Sequence, residues 1–491
     1  MHDTTAVVDP RPDSPRTEPR TDLRAELMRR ARALPWRDLA WLAGAVVLLT
    51  GLSIYRLGAT SLWRDEVSSI VFAKASLSDL LTVVGRERSE VGLANMATYY
   101  TILHFWLAVG ETEARIRFLS VIFGVAATVP IFFVARRIAG SSAAVLAAFV
   151  YASSSFVVQW NQEVRGYSLT MLVSAVLLWL VIHATDHQRA RTWLAYGIIG
   201  ALGLYVHFFV GLTMASHAAW VAVSGRWPKG WGFPAVVVPV VLASIPVPLA
   251  ALATTTAVQW IDPITLSGAW GTIWRLAGSP ILLWATVALT AVALVAHWRG
   301  PQRSLVLLAL VSVLLPIAGA AAVSLWKPLF LSRYLLVVIP PMAILAGVGL
   351  AAIRPTPLKA VAVVAMGALL IADLPSAYRD RHQEDWRGAA RFLSRQHQPG
   401  DRIVYESGGR QITYYLDRFG EPIPERTRIG EARARGDERL WVVTRRASSE
   451  HRDRISARLA PAYEERERWR FKRVQLMLLE PTGESTAGDG P

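Results

Sequence analysis

Four short segments carry the residues with the most chemical capacity. Leu62-Trp63-Arg64-Asp65-Glu66 sets two adjacent carboxylates beside an arginine and a tryptophan. Such a carboxylate can take a proton from an incoming hydroxyl or amine, or hold a divalent cation. The pair could equally do no more than start a helix and complement its dipole. Gln159-Trp160-Asn161-Gln162-Glu163-Val164-Arg165-Gly166-Tyr167 gathers polar groups between two apolar runs, where a plain hairpin needs only a turn. Glu163 and Arg165 either pair with each other or form a polar floor for sugar hydroxyls or phosphate. Ser332-Arg333-Tyr334 follows Lys327 by a few residues. Its arginine suits a phosphate, binding two oxygens at once, or else snorkels to headgroups as an anchor. Tyr205-Val206-His207-Phe208 is the weakest of the four, with an ordinary interface histidine as its plainer reading. His217 lies deeper in an apolar run and is expected to bond a neighbouring helix.

The elements that must position these segments are membrane helices. The chain has 491 residues, 53% hydrophobic and 18% charged, and its apolar residues come in long runs. Eleven runs are each about long enough to cross ~30 Å of hydrocarbon at ~1.5 Å per residue. They lie near Leu39–Tyr55, Ile116–Ala135, Ser142–Val158, Ser168–Thr185, Trp193–Phe209, Val210–Ser224, Pro234–Thr255, Ile281–His297, Leu305–Leu325, Leu335–Ile353 and Ala360–Leu374. Alternate loops hold the basic pairs Arg136/Arg137, Arg189/Arg191, Arg226/Lys229, Arg299/Arg303 and Arg354/Lys359. By the positive-inside rule these loops are cytoplasmic. All four polar segments then fall on the outer face, the N-terminus inside and the C-terminus outside.

Ala94–Val109 is apolar but short. As a span it would turn every basic pair outward, so it reads as an interfacial or re-entrant helix with Tyr, His and Trp at headgroup level. It belongs to a long first outer loop, 56–115, and long loops tend to carry function. Residues 1–38 read as a disordered cytoplasmic tail and 39–375 as the transmembrane domain. Residues 376–480 alternate helical and strand patterns, which predicts a small extracytoplasmic α/β domain. Its expected elements are helices at Trp386–Gln396 and Glu450–Leu459, strands at Arg402–Glu406 and Leu440–Thr444, and a final strand at Trp469–Leu479. Residues 481–491 read as a disordered tail.

Some functions are excluded at this level. The net charge of +15 is spread over cytoplasmic loops and a tail domain, not over a nucleic-acid face, so no nucleic-acid partner is expected. With no cysteine there is no disulfide or thiolate chemistry. No P-loop, GxGxxG or HExxH motif is present, which argues against ATP-driven transport and zinc proteolysis.

The order LWRDE, RIRFLSVIFGV, NQEVRGYSL, YVHFF and SRYLLVVIPP resembles the GT-C glycosyltransferases. It is most similar to the bacterial branch related to protein O-mannosyltransferases, glycosyltransferase family 39, over roughly residues 40–375. EDWRGAARFL, PGDRIV and TYYLDR resemble the tail domain of bacterial members. The resemblance implies an all-α polytopic bundle of about eleven transmembrane helices with a small extracytoplasmic α/β C-terminal domain. It implies transfer of a sugar from a polyprenyl-phosphate carrier to an extracytoplasmic acceptor, in the bacterial cell (inner) membrane. Asp65 matches the family's first-loop base, with Glu66 its acidic partner. Arg117 matches an arginine that braces the first loop. Glu163, Arg165 and Tyr167 match the polar turn, and Arg333, followed by Tyr334, matches the carrier-phosphate arginine; His207 is added as a binding residue.

Where many relatives carry a Pro-Pro-Leu-Tyr-like stretch, this chain has Asn95-Met96-Ala97-Thr98-Tyr99-Tyr100. That departure leaves the acceptor open among glycan, glycolipid and protein. The sugar is mannose-like or arabinofuranose-like. A phosphate leaves without a general acid, so one base and one cation suffice for an inverting single displacement. A divalent metal, Mg or Mn, is not required by this chemistry but could be held by Asp65, Glu66 and Glu163. Two other classes compete: a transporter or flippase of a lipid-linked envelope precursor, and a non-catalytic envelope assembly protein. A transporter would place ionisable residues mid-span and show two-half symmetry.

Overall fold

The computed structural model describes residues 35–76, 96–244, 261–379, 384–422, 424–435, 438–445, 449–460 and 462–482. The expected N-terminal tail lies outside these residues except for its end, where Trp36–Asp38 is already helical. The second half of the Pro234–Thr255 run and most of the 481–491 tail also lie outside them.

Helix α1 (Trp36–Ile54) leads to two short helices, α2 (Arg64–Ala73) and α3 (Ala97–Trp106). There follow α4 (Glu113–Ala126), α5 (Thr128–Ala152), α6 (Ser155–Asn161), α7 (Tyr167–His187), α8 (Ala190–Leu204), α9 (Val210–Ser224) and α10 (Gly232–Ser244). The bundle is completed by α11 (Leu266–Ala277), α12 (Pro280–His297), α13 (Arg303–Val323), α14 (Ile339–Ala352) and α15 (Thr356–Asp373). Among the described residues six helical stretches are long and apolar enough to cross a membrane, and three apolar helices are shorter. Each of the eleven expected runs contains helix.

The chain turns inside α5 rather than at a loop. Ala139 leaves helical geometry and Gly140 takes a φ of +78°, a conformation that glycine adopts without a Cβ clash. The arm after the turn comes back beside α4, where the Tyr151 hydroxyl donates to the Gly124 carbonyl at 3.1 Å. Helix α14 lies deep in the bundle because it is built from small residues. A Cβ at Gly347 would stand 2.4 Å from the Ala147 backbone nitrogen, and one at Gly349 would stand 2.1 Å from the Leu289 carbonyl.

Helix α3 is too short to span, as expected, but it differs in orientation. Tyr99 and Tyr100 are fully buried against the bundle, while Phe105 is exposed. The two phenols find protein partners there, which outweighs any preference for headgroups.

The C-terminal domain is α/β. It comprises α16 (Trp386–Gln396), β1 (Arg402–Tyr405), α17 (Gly409–Phe419), β2 (Glu425–Arg426), α18 (Ile429–Arg435), β3 (Leu440–Arg445), α19 (Ser449–Leu459), β4 (Tyr463–Phe471) and β5 (Val474–Pro481). The sheet order is β2-β1-β3-β5-β4. Strands β2, β1 and β3 are parallel, and β5 and β4 add antiparallel. The central strands β3 and β5 are almost wholly apolar because both of their faces are covered. The expected single strand at Trp469–Leu479 is two strands, turning at Lys472 with a φ of 50°. No glycine or asparagine marks that turn in the sequence. Helix α17 was not anticipated, although Gly408 and Gly420, both left-handed, bracket it.

Candidate active site

Glu66 is fully buried and accepts four hydrogen bonds. Arg117 Nε and Nη2 each donate to it at 2.8 Å, Val164 N–H at 3.0 Å and Trp63 N–H at 3.2 Å. The remaining donors of Arg117 reach the carbonyls of Leu57 at 2.9 Å, Thr60 at 3.1 Å and Ser61 at 3.3 Å. One ion pair therefore joins the first loop, the start of α4 and the turn after α6. Its groups are saturated, so Glu66 stands as a strut and not as a second carboxylate open to substrate. Arg117 braces the loop.

Asp65 precedes Glu66 by one residue, which is ~100° around the helix, and it points elsewhere. It is half-buried. Among the described residues its carboxylate makes no hydrogen bond and no ion pair; only its backbone carbonyl is used, accepting from Ser69 Oγ at 2.9 Å. Its charge helps to hold both Arg165 and Arg333 in their charged form. Arg165 Nη1 donates to Ser69 Oγ at 3.3 Å and to the Tyr100 hydroxyl at 3.1 Å, and its guanidinium lies 5.6 Å from the Tyr167 ring centre. Burial works against the Arg165 cation, but Tyr100, Tyr167 and Asp65 outweigh it and hold the group charged. Arg333 sits 5.6 Å from its neighbour's ring, Tyr334. One carboxylate and two guanidiniums thus share a site whose net charge favours an anion.

Beneath them is an aromatic floor. The His207 ring centre lies 5.2 Å from that of Tyr334 and 6.5 Å from that of Tyr167. His207, in the turn between α8 and α9, is fully buried. Its Nδ1 accepts from the Phe209 N–H at 3.3 Å, which assigns the proton to Nε2. Nε2 has no partner among the described residues, leaving a donor for a ligand. His217 is a packing group, as expected, bonded through Nδ1 to the Tyr196 hydroxyl at 3.0 Å.

Glu163 lies on another side of the first loop's ion pair. It lines a second polar cleft together with Arg56, Gln159, Arg379 and the Glu66–Arg117 pair. Asp65, Arg165, Tyr167, His207, Arg333 and Tyr334 therefore come together, whereas Glu66, Arg117 and Glu163 form the wall behind them. Ser69 and Tyr100 also belong to the site; Tyr100 lies in the 95–100 stretch noted above for the acceptor side, and Ser69 carries no motif of its own. Ser69 lies one helical turn after Asp65, a spacing that could have flagged it; Tyr100 comes from a distant segment.

A divalent metal fits poorly. Among the described residues no three His, Asp or Glu side chains converge. Both Glu66 oxygens are already committed to Arg117 and two backbone N–H groups, which leaves neither for a cation.

Comparison with known proteins adds the family context. The model of the dolichyl-phosphate-mannose-protein mannosyltransferase family matches residues 95–250. No curated protein matches the chain. Among solved structures, ArnT from Cupriavidus metallidurans in the apo state aligns with a TM-score of 0.60 at 12% identity, over 90% of this chain and 98% of that one. The same protein bound to undecaprenyl phosphate aligns at 0.58 and 13% identity, over 92% and 99%. The archaeal oligosaccharyltransferase AglB from Archaeoglobus fulgidus, in complex with an inhibitory peptide and a dolichol-phosphate, aligns at 0.51 and 11% identity, over 93% and 75%. The described bundle and C-terminal domain together share the fold of ArnT and of AglB.

Proposed function

We propose that the chain is an integral membrane glycosyltransferase that moves a sugar from a polyprenyl-phosphate carrier to an acceptor hydroxyl. The observation that carries this reading is the Asp65 carboxylate, which makes no hydrogen bond or ion pair among the described residues while its charge acts on Arg165 and Arg333. The likeness to a structure holding undecaprenyl phosphate supports the carrier class. Asp65 takes the proton of the acceptor hydroxyl as its oxygen attacks the anomeric carbon. The bond from that carbon to the carrier phosphate breaks, and the electron pair leaves on the phosphate oxygen. Arg333 and Arg165 meet the charge that develops there. A single displacement inverts the anomeric centre. Tyr167, Tyr334 and the Nε2–H of His207 line the place of the sugar. The sugar is mannose-like or arabinofuranose-like, and the acceptor a glycan, glycolipid or protein. The positive-inside pattern puts the site on the extracytoplasmic side of a bacterial cell membrane.

The test uses purified protein in nanodiscs with radiolabelled polyprenyl-phosphate mannose and polyprenyl-phosphate arabinofuranose, wild type beside Asp65→Asn. The readouts are release of polyprenyl phosphate and labelling of a simple glycan acceptor. Wild-type turnover on one donor, lost in the variant, is the expected result. Full turnover in Asp65→Asn would remove Asp65 from the mechanism. Passage of intact donor across the bilayer without sugar release would replace the transferase with a flippase.

A further inference from the structure

Resting on that reading, the structure assigns a positioning role to Tyr415 of the C-terminal domain: we infer that its hydroxyl sets the segment from which the Asp65 helix starts. The first loop is held from two sides. On the bundle side Arg117 ties down Leu57, Thr60 and Ser61. On the domain side the Leu62 N–H donates to the Tyr415 hydroxyl at 2.8 Å, and that hydroxyl donates to Glu113 Oε1 at 3.2 Å. Leu62 and Tyr415 are fully buried, and Glu113 nearly so.

Glu113, at the start of α4, is itself anchored by two arginines of the domain. Arg387 Nη1 lies 3.2 Å and Arg418 Nη1 3.5 Å from its carboxylate. Arg387 also reaches the Ala59 carbonyl at 3.2 Å. Its backbone N–H donates to Ser61 Oγ at 3.1 Å, and Ser61 Oγ donates to Asp385 Oδ1 at 3.1 Å. Asp385 caps α16 through the Gly388 N–H. Arg410, on the same helix as Tyr415, approaches Ser68 of α2 at 3.4 Å. Every contact falls within ten residues of Asp65 in sequence or on Glu113, and none touches Arg165 or Arg333.

That separation has a kinetic consequence. The carrier phosphate is held by residues of the bundle, whereas the base is aimed jointly by bundle and domain. Tyr415→Phe removes one oxygen and leaves the Leu62 N–H without a partner. A shift of ~1 Å in a catalytic group costs about 100-fold in rate. The expected result is a kcat lowered about 10- to 100-fold, with unchanged affinity for polyprenyl phosphate and unchanged KM for the donor. Hydrogen exchange of the amides at 57–73 should quicken, while exchange in α7 and α14 stays as in wild type. Ser61→Ala, which cuts the Arg387 and Asp385 links without touching Tyr415, should move both readouts the same way by less.

Wild-type kcat together with wild-type exchange in Tyr415→Phe would overturn the assignment. So would a loss of kcat and carrier binding together, since that is general destabilisation. Failure of the wild type to transfer sugar would count against the transferase reading alone, because the exchange measurement still reports on the clamp.

Discussion

The two ends of the helical bundle use the same residue types in opposite ways. At the end remote from the C-terminal domain, Asp38 meets Arg136 Nε at 3.0 Å and Ser141 Oγ at 2.8 Å. Nearby, Asp186 joins Arg137 at 3.1 Å and Arg226 at 3.4 Å. Each of these carboxylates fastens one helix to another. At the end beneath the domain, Glu66 is fastened just as fully to Arg117, yet the adjacent Asp65 makes no such contact among the described residues. Carboxylates and arginines at a helix end therefore do not mark a site by themselves; a carboxylate without a protein partner is what sets one end apart from the other.

The contrast breaks most readily at Asp65. Asp65→Asn should lower sugar transfer about 10²- to 10⁴-fold, the range of a general base, with little change in thermal midpoint. Asp38→Asn should do the reverse, keeping transfer and lowering the midpoint; a turnover assay run beside a detergent melting curve reads both. Next in size is the strut. Arg117→Met strands Glu66 as an uncompensated buried charge, and removing one partner of a buried pair costs about 3–5 kcal/mol. Melting curves should show that loss before any assay is run. Arg333→Gln should weaken polyprenyl-phosphate binding about 10- to 100-fold, the equivalent of a hydrogen bond to a charged group at about 1.5–3 kcal/mol. Equilibrium binding to the carrier lipid, with no sugar present, measures it. The smallest effect is at Asp186. Both of its arginines are well exposed, so Asp186→Asn should change stability by no more than about 1 kcal/mol and leave transfer intact. A large loss of transfer there would erase the difference between the two ends.

Most of the architecture was legible in the sequence, because a membrane helix announces itself by length and apolarity alone. The boundaries that moved are those set by a single dihedral or by packing. The Ile116–Ala135 and Ser142–Val158 runs were foreseen as separate, but their junction at Ala139–Gly140 is a backbone event with no loop around it. The β4–β5 hairpin was read as one strand, since Lys472 supplies the turn that glycine usually does. At the site, motif order placed Asp65, Arg165, His207 and Arg333, and the structure gathers them. The different fate of Glu66 was not legible, because two neighbours in a helix face different partners and only the tertiary contacts say which. Glu113, Arg387 and Tyr415 were missed for a related reason. Their partners lie some 270 to 350 residues away along the chain, and no local pattern encodes such a meeting.

The C-terminal sheet ends in two unlike borders. One is β2, only two residues long. The other is β4, whose exposed positions include Glu464, Arg466, Glu467, Arg468 and Arg470. A neighbouring chain that tried to add a strand to this border would have to strip water from a row of alternating charges, and at the other border it would find almost nothing to pair with. Many copies confined to one plane meet far more often than they would in solution. Borders of this kind disfavour strand addition between such neighbours.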